Sequence, residues 1–172
     1  MTRKFLAGLV LPAVTALALA GCSTPVSHTD ADVTFAQGMI PHHEQAVRMA
    51  APVPRHTANA QVIALADGIA KAQQPEIDQL RAWLKEWGAS SMPSSMSGMD
   101  HGAMTDTGDI DTLRDAAYDR EWLRLMVEHH RGAIDMARVE LAQGTNADAK
   151  AMAQRIADTQ QAEVDKMTSL LG

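Results

Sequence analysis

Four histidines, two glutamates and a set of methionines recur in this chain at fixed intervals, and side chains of these types could bind a soft metal ion. The segments MIPHHEQAVRMA (39–50) and MVEHHRGAIDMA (126–137) align with a constant offset of 87 residues. Met39, His42, His43, Ala46, Met49 and Ala50 thus answer to Met126, His129, His130, Ala133, Met136 and Ala137. At the same offset, A-x-x-I-A-x-x-Q-Q-x-E at 66–76 recurs at 153–163. Repetition over this distance marks a tandem duplication of one supersecondary unit.

If these segments are helical, successive residues turn by about 100°. With Met39 at zero, His42 and His43 fall at about −60° and +40°, on the half of the helix that carries Ala46 and Ala50, while Pro41 and Glu44 point away. Gln73 and Glu76 share the apolar side of the following helix, and Gln160 and Glu163 repeat that placement. A bundle interior would then hold four imidazoles, two carboxylates and two amides, each expensive to bury unpaired.

Two readings account for such an interior. One is a polar layer in which each glutamate accepts from a histidine and the amides fix helix register. The other is a metal site: Met39 with His43, and Met126 with His130, are i,i+4 pairs that share a helix face. His42 and His129 complete that candidate set. Glu76 and Glu163 are candidate ligands or supports for ligands. Met49 and Met136 stand two turns from the nearest first histidine, and ordinary core packing accounts for them as well. Thioether with imidazole suits Cu(I), and imidazole alone also takes Cu(II) or zinc. A second collection of soft donors, Met92, Met96, Met99, His101 and Met104, lies in a Ser/Gly-rich stretch that cannot bury a core. That stretch is either a flexible metal collector or a plain linker.

The elements that must position these groups are helices. Aromatic residues make up only 3% of the chain, and Ala, Leu, Ile and Met supply its apolar content, which favours closely packed helices over a β-sandwich. Apolar positions recur at helical spacing over about 32–51, 60–87, 109–144 and 147–171, with Asn59 and Asn146 as caps and Gly88 and Gly144 as stops. Pro41 and Pro75 fall inside two of these helices at some cost. The expectation is an all-α four-helix bundle of two tandem helical hairpins, 32–88 and 109–172, joined by a Met-rich linker at 89–108.

The amino terminus places the domain outside the cytoplasm. Arg3 and Lys4 precede an apolar run from 5 to 20 that is too short for a stable membrane span and reads as a signal peptide over 1–21. The run ends Leu19-Ala20-Gly21-Cys22, which resembles the lipobox of bacterial lipoproteins. That resemblance implies a lipidated Cys22, a tether at 22–31, and a domain held at a membrane in the cell envelope, facing the periplasm or the exterior. Cys22 is the only cysteine, so no intrachain disulfide can form. Removing the first 21 residues takes two basic and no acidic residues, and the net charge falls from −6 to −8. That balance argues against a nucleic-acid partner; no protein partner can be read from it.

The motifs M-I-P-H-H-E-Q-A-V-x-M-A, Q-Q-x-E-I-x-x-L-x-x-W-L and M-V-E-H-H-x-G-A-I-x-M-A resemble the exported bacterial family known as domain of unknown function 305, over about 32–171. The resemblance implies a ferritin-like four-helix bundle, and copper binding through histidine and methionine in some members. An extracytoplasmic lipoprotein that captures or buffers copper, Cu(I) before Cu(II), is the function expected. A structural or partner-binding envelope bundle without metal is the alternative. A ferritin-like oxidase is a third reading, but di-iron bundles use Glu-x-x-His, whereas the inward groups here are His-His and Gln-x-x-Glu. No enzymatic activity is therefore expected.

Overall fold

The computed structural model describes residues 27–91 and 109–172, and Cys22, Met92, Met96, Met99, His101 and Met104 lie outside them. Four long helices form an all-α bundle: α1 (Asp30–Ala50), α3 (Ala60–Glu86), α4 (Asp115–Gln143) and α5 (Ala147–Leu171), with a single turn, α2 (Val53–His56), between the first two. Among the described residues no strand occurs, and no helix is long and apolar enough to cross a membrane. The bundle is built from antiparallel pairs, α1 on α3 and α4 on α5, with α1 also packed against α4.

Contacts along the helices give the topology. Gln37 meets Ser90 and His43 meets Glu76, the partner number falling as the first rises, so α1 and α3 run in opposite directions. His42 meets His129 and Met49 meets Trp122, so α1 and α4 are antiparallel as well. The end of α3 and the start of α4 therefore lie at opposite ends of the bundle, and segment 92–108 connects them.

Local chemistry sets the helix ends. The Asn59 side chain accepts from Gln61 N at 3.1 Å, and that of Asn146 from Asp148 N at 3.1 Å and Ala149 N at 2.9 Å, which satisfies first-turn donors. Gly88, with φ +67°, takes the left-handed conformation that ends α3. Both internal prolines are accommodated, since α1 and α3 are each assigned as one helix through them. The start of the third long helix departs from expectation: Ile110–Thr112 is a separate 3-10 turn, and Leu113 and Arg114 are extended before α4 begins. The Arg114 guanidinium donates to the Asp111 and Leu113 carbonyls at 2.7 and 2.6 Å, holding the chain out of helix.

A carboxylate stitches the opposite end. Buried Asp32 accepts from Thr29 N at 2.6 Å, Thr29 Oγ1 at 2.7 Å and Asn146 N at 2.8 Å, joining the start of α1 to the α4–α5 turn. Asp119, 87 residues later, accepts from Asn59 Nδ2 at 2.8 Å. Each hairpin thus reaches into the loop of the other. Residues preceding α1 are held too, with Ser27 O accepting from Asn146 Nδ2 at 3.1 Å and His28 stacked on Trp87.

The apolar core is in two parts. One cluster, near the α2 end, contains Ala46, Met49, Ile69, Trp122, Met126, Val164 and Met167. The other contains Phe35, Met39, Ile77, Leu80, Ala133, Met152 and Ile156. Along α1, α3 and α5 the break falls at 41–45, 70–76 and 157–163, and along α4 at 128–132, with Ile134 the one residue of the first cluster beyond it.

Candidate metal centre

That break is a polar layer across the middle of the bundle. His42, His43, His129 and His130 are all buried, the last being wholly inaccessible like His43. The inward turn of all four follows from the duplicated helical register, while Glu128 and Arg131 are exposed as the same wheel requires. Gln73 and Gln160 are buried, and Glu76 and Glu163 are partly exposed at the rim.

Pairing within the layer repeats in the two halves. His43 Nε2 lies 2.8 Å from Glu76 Oε2, and His130 Nε2 lies 2.7 Å from Glu163 Oε2. A carboxylate accepts only, so each ring donates from Nε2, and in the neutral form of the ring Nδ1 is the nitrogen left to accept or to bind a metal. His129 Nε2 sits 3.0 Å from the His42 carbonyl oxygen, which assigns its proton in the same way. The Nδ1 atoms of His43, His129 and His130, and both ring nitrogens of His42, are buried with no hydrogen-bond partner.

At the bundle axis the rings of His42 and His129 are in contact, with centroids 3.8 Å apart, and His129 lies 6.2 Å from His130. Burial pushes His42 down to about 3, helped by the adjacent His43 and His130. Burial likewise lowers His129 to about 2, with His42, His130 and His43 adding repulsion. Both rings are therefore neutral at ordinary pH, the state in which imidazole binds metals.

The candidate sulfurs divide by position. Met39 and Met126 are fully buried a turn away from the layer, on opposite sides of it. Met49 is in the cluster near α2 and lines a cleft of about 510 Å³ with Tyr118 and Trp122. Its carbonyl accepts from Trp122 Nε1 at 2.9 Å. Met136 is half-buried, its sulfur 3.5 Å from where a Cβ on Gly38 would stand. Among the described residues no three His, Cys, Asp or Glu side chains form a ready-made metal site. The donors fit an ion that takes few ligands and accepts thioether with imidazole. The His, Cys, Asp and Glu side chains alone do not supply the four preset ligands that structural zinc takes.

Sequence reasoning passed over the Asp32–Glu140 pair, a second buried polar cluster. Burial, and after it the hydrogen bond and charge of Asp32, push Glu140 up to about 8. Asp32 itself, which burial alone would raise, is held well below the carboxylate range by hydrogen bonds from Thr29 and Asn146. Asp32 and Asp119, and likewise Asn59 and Asn146, stand 87 residues apart, a spacing that points to Asp32 but not to Glu140.

Residues 32–171 match the family described as Domain of unknown function (DUF305). No curated protein matches the chain. Among solved structures, a DUF305 fragment from Deinococcus radiodurans is 31% identical with a TM-score of 0.74, covering 84% of this chain and 97% of that one. A DUF305 protein from Streptomyces coelicolor, described as secreted, is 30% identical with a TM-score of 0.74, over 82% of this chain and 91% of that one. CopM in the Cu(I)-bound form is 25% identical with a TM-score of 0.69, over 81% of this chain and 94% of that one. CopM has also been solved in Cu(II)-bound and Ag-bound forms.

Proposed function

The chain belongs to the DUF305 family, and from that membership we propose that it is an extracytoplasmic copper-binding protein that captures or buffers the ion, Cu(I) by preference. The observation that carries this reading is the set of five buried imidazole nitrogens without partners in one layer, three of the rings held by Nε2 contacts to Glu76, Glu163 and the His42 carbonyl. Leaving such atoms unpaired costs about 1–3 kcal/mol each, and coordination would offset that cost. Carboxylate support of a ligating imidazole is the usual way of fixing its tautomer and raising its basicity.

His42, His43, His129 and His130 would supply the nitrogens, with Met39 and Met126 as thioether ligands entering from either side. A bound ion makes binding free energy part of folding free energy. The binding of Cu(I), Cu(II) and silver by CopM, a structural neighbour, supports the choice of metal. Met92, Met96, Met99, His101 and Met104 would add a weaker collecting segment. Lipidation of Cys22 would hold the domain at the membrane surface, as the lipobox-like segment suggests. The reading is of carriage rather than catalysis, because Glu76 and Glu163 are each committed to one histidine on a different helix pair.

Equilibrium dialysis of residues 23–172 against Cu(I), beside a variant with the four histidines changed to Ala, tests the proposal. Loss of the tightest site in the variant is expected. Full stoichiometry and affinity without the histidines would assign binding elsewhere.

The two histidine–glutamate bonds also favour a second reading, a layer that only sets helix register. On that reading, Cu(I) or silver leaves the melting temperature unchanged, since an ion that does not bind the native state cannot raise it.

A further inference from the structure

Gln73 and Gln160 are two further buried members of the layer. Each stands one helical turn before the glutamate that supports a histidine, and the two are 87 residues apart. They are 2% and 3% exposed, and both polar atoms of Gln73 and the side-chain oxygen of Gln160 are buried without a hydrogen-bond partner. Their neighbours across the helix pairs follow from register. With His43 opposite Glu76 on antiparallel helices, Ala46 comes level with Gln73; with His130 opposite Glu163, Ala133 comes level with Gln160. Both alanines are wholly buried, so a methyl group, which can offer no hydrogen bond, comes level with each amide.

An unpaired amide in an apolar interior is costly, and a leucine at either position would continue the helix stripe without that cost. In both halves the fold nevertheless places an oxygen there, in the layer that holds the imidazoles. Glu76 and Glu163 each give one oxygen, Oε2, to His43 and His130, and both carboxylates are partly exposed at the rim. The amide oxygens are thus the hard donors buried inside the layer, and they bring no charge into it.

We propose that Gln73 and Gln160 are ligand-side groups of the central layer, their oxygens contacting the ion or its bound water so that the site holds Cu(II) as well as Cu(I). The inference rests on the copper reading above and adds the valence the site accepts. Imidazole with thioether serves the monovalent ion; the divalent ion prefers a tetragonal set of nitrogen and oxygen donors. The amides complete that set beside the histidines.

The test compares residues 23–172 with a Gln73→Leu/Gln160→Leu variant, using Cu(II) and, as a redox-inert probe for the monovalent site, Ag(I). Cu(II) affinity is expected to fall at least tenfold with a changed electron paramagnetic resonance spectrum, while Ag(I) affinity changes less than twofold. A Gln73→Met/Gln160→Met variant, close to isosteric, should weaken Cu(II) and strengthen Ag(I), and it decides the matter if the Leu variant does not fold. Unchanged Cu(II) affinity and spectrum would overturn the proposal, as would equal losses for both ions. Failure of the copper reading is distinguishable, because wild-type protein would then bind Ag(I) no better than the four-histidine variant.

Discussion

The imidazoles of His42 and His129 lie against each other at the bundle axis, centroids 3.8 Å apart and planes inclined by 40°. One comes from each half of the duplication, so the contact is where the two halves meet most closely in chemistry. Two adjacent buried rings cannot both take a proton cheaply, which is why His42 is lowered to about 3 and His129 to about 2, burial first and neighbouring imidazoles second.

Acid should therefore unfold the metal-free protein. Below the ordinary histidine value of 6.5 the unfolded chain takes up protons that the native rings refuse, so stability falls as pH drops from 6.5 towards 3. The loss by pH 4 is on the order of a few kcal/mol. Urea midpoints of metal-free protein between pH 4 and 8 measure it, and His42→Leu/His129→Leu should flatten the slope. An unaltered slope in that variant would remove the rings as its cause.

At the other limit the decisive group is Glu140. Its value is raised to about 8, so the native state holds a proton that the unfolded chain releases above its ordinary 4.5. Stability from this group is complete below 4.5 and is lost as pH rises through about 8. The charges facing it are Asp32 of α1, which opposes ionisation, and Lys150 of α5, which favours it. Glu140→Gln keeps a donor towards Asp32 without a titration. Its melting temperature should hold steady from pH 6 to 9 while that of the wild type declines, and parallel declines would contradict this account.

Much of this architecture was legible before any coordinates. The inward turn of His42, His43, His129 and His130 follows from helical angle alone, because a duplicated pattern leaves one consistent face. Asn59, Asn146 and Gly88 act where their side-chain chemistry demands. What escaped is tertiary. The break at Leu113 and Arg114 comes from guanidinium bonds to local carbonyls, which no hydrophobic period encodes. The short α2 turn was read as loop, since Pro52 and Pro54 signal the end of α1 but not a new turn. The partnership of Asp32 with Glu140 joins residues more than a hundred positions apart. In the first half Val53 stands where that glutamate's counterpart would be, so the repeat could not advertise the pair.

The glutamates at the rim yield a prediction for binding. Glu76→Gln and Glu163→Gln retain size and hydrogen-bonding capacity but remove the anion that holds each Nε2 proton. Changing such a support typically costs about 10–100-fold in metal affinity. Ag(I) competition titration of the double variant should show a loss of that size with helical content unchanged. Affinity equal to wild type would mean that the two carboxylates serve helix register alone.

Gly144 tests the buried acid from the other side. A Cβ there would stand 2.2 Å from Glu140 Oε1 and 2.5 Å from its Cδ, closer than non-bonded atoms approach, so Gly144→Ala must displace the carboxyl. The backbone itself raises no objection, since φ is −67°. Crowding of this kind costs about 1–3 kcal/mol, and here the displaced group is one that Asp32 needs beside it. In a Glu140→Ala background nothing remains to displace, and the alanine should become nearly neutral. A double-mutant cycle by urea unfolding should therefore return a coupling of about 1–3 kcal/mol between positions 140 and 144. Additive costs would show that Gly144 is required for another reason, and that the carboxyl has room to move.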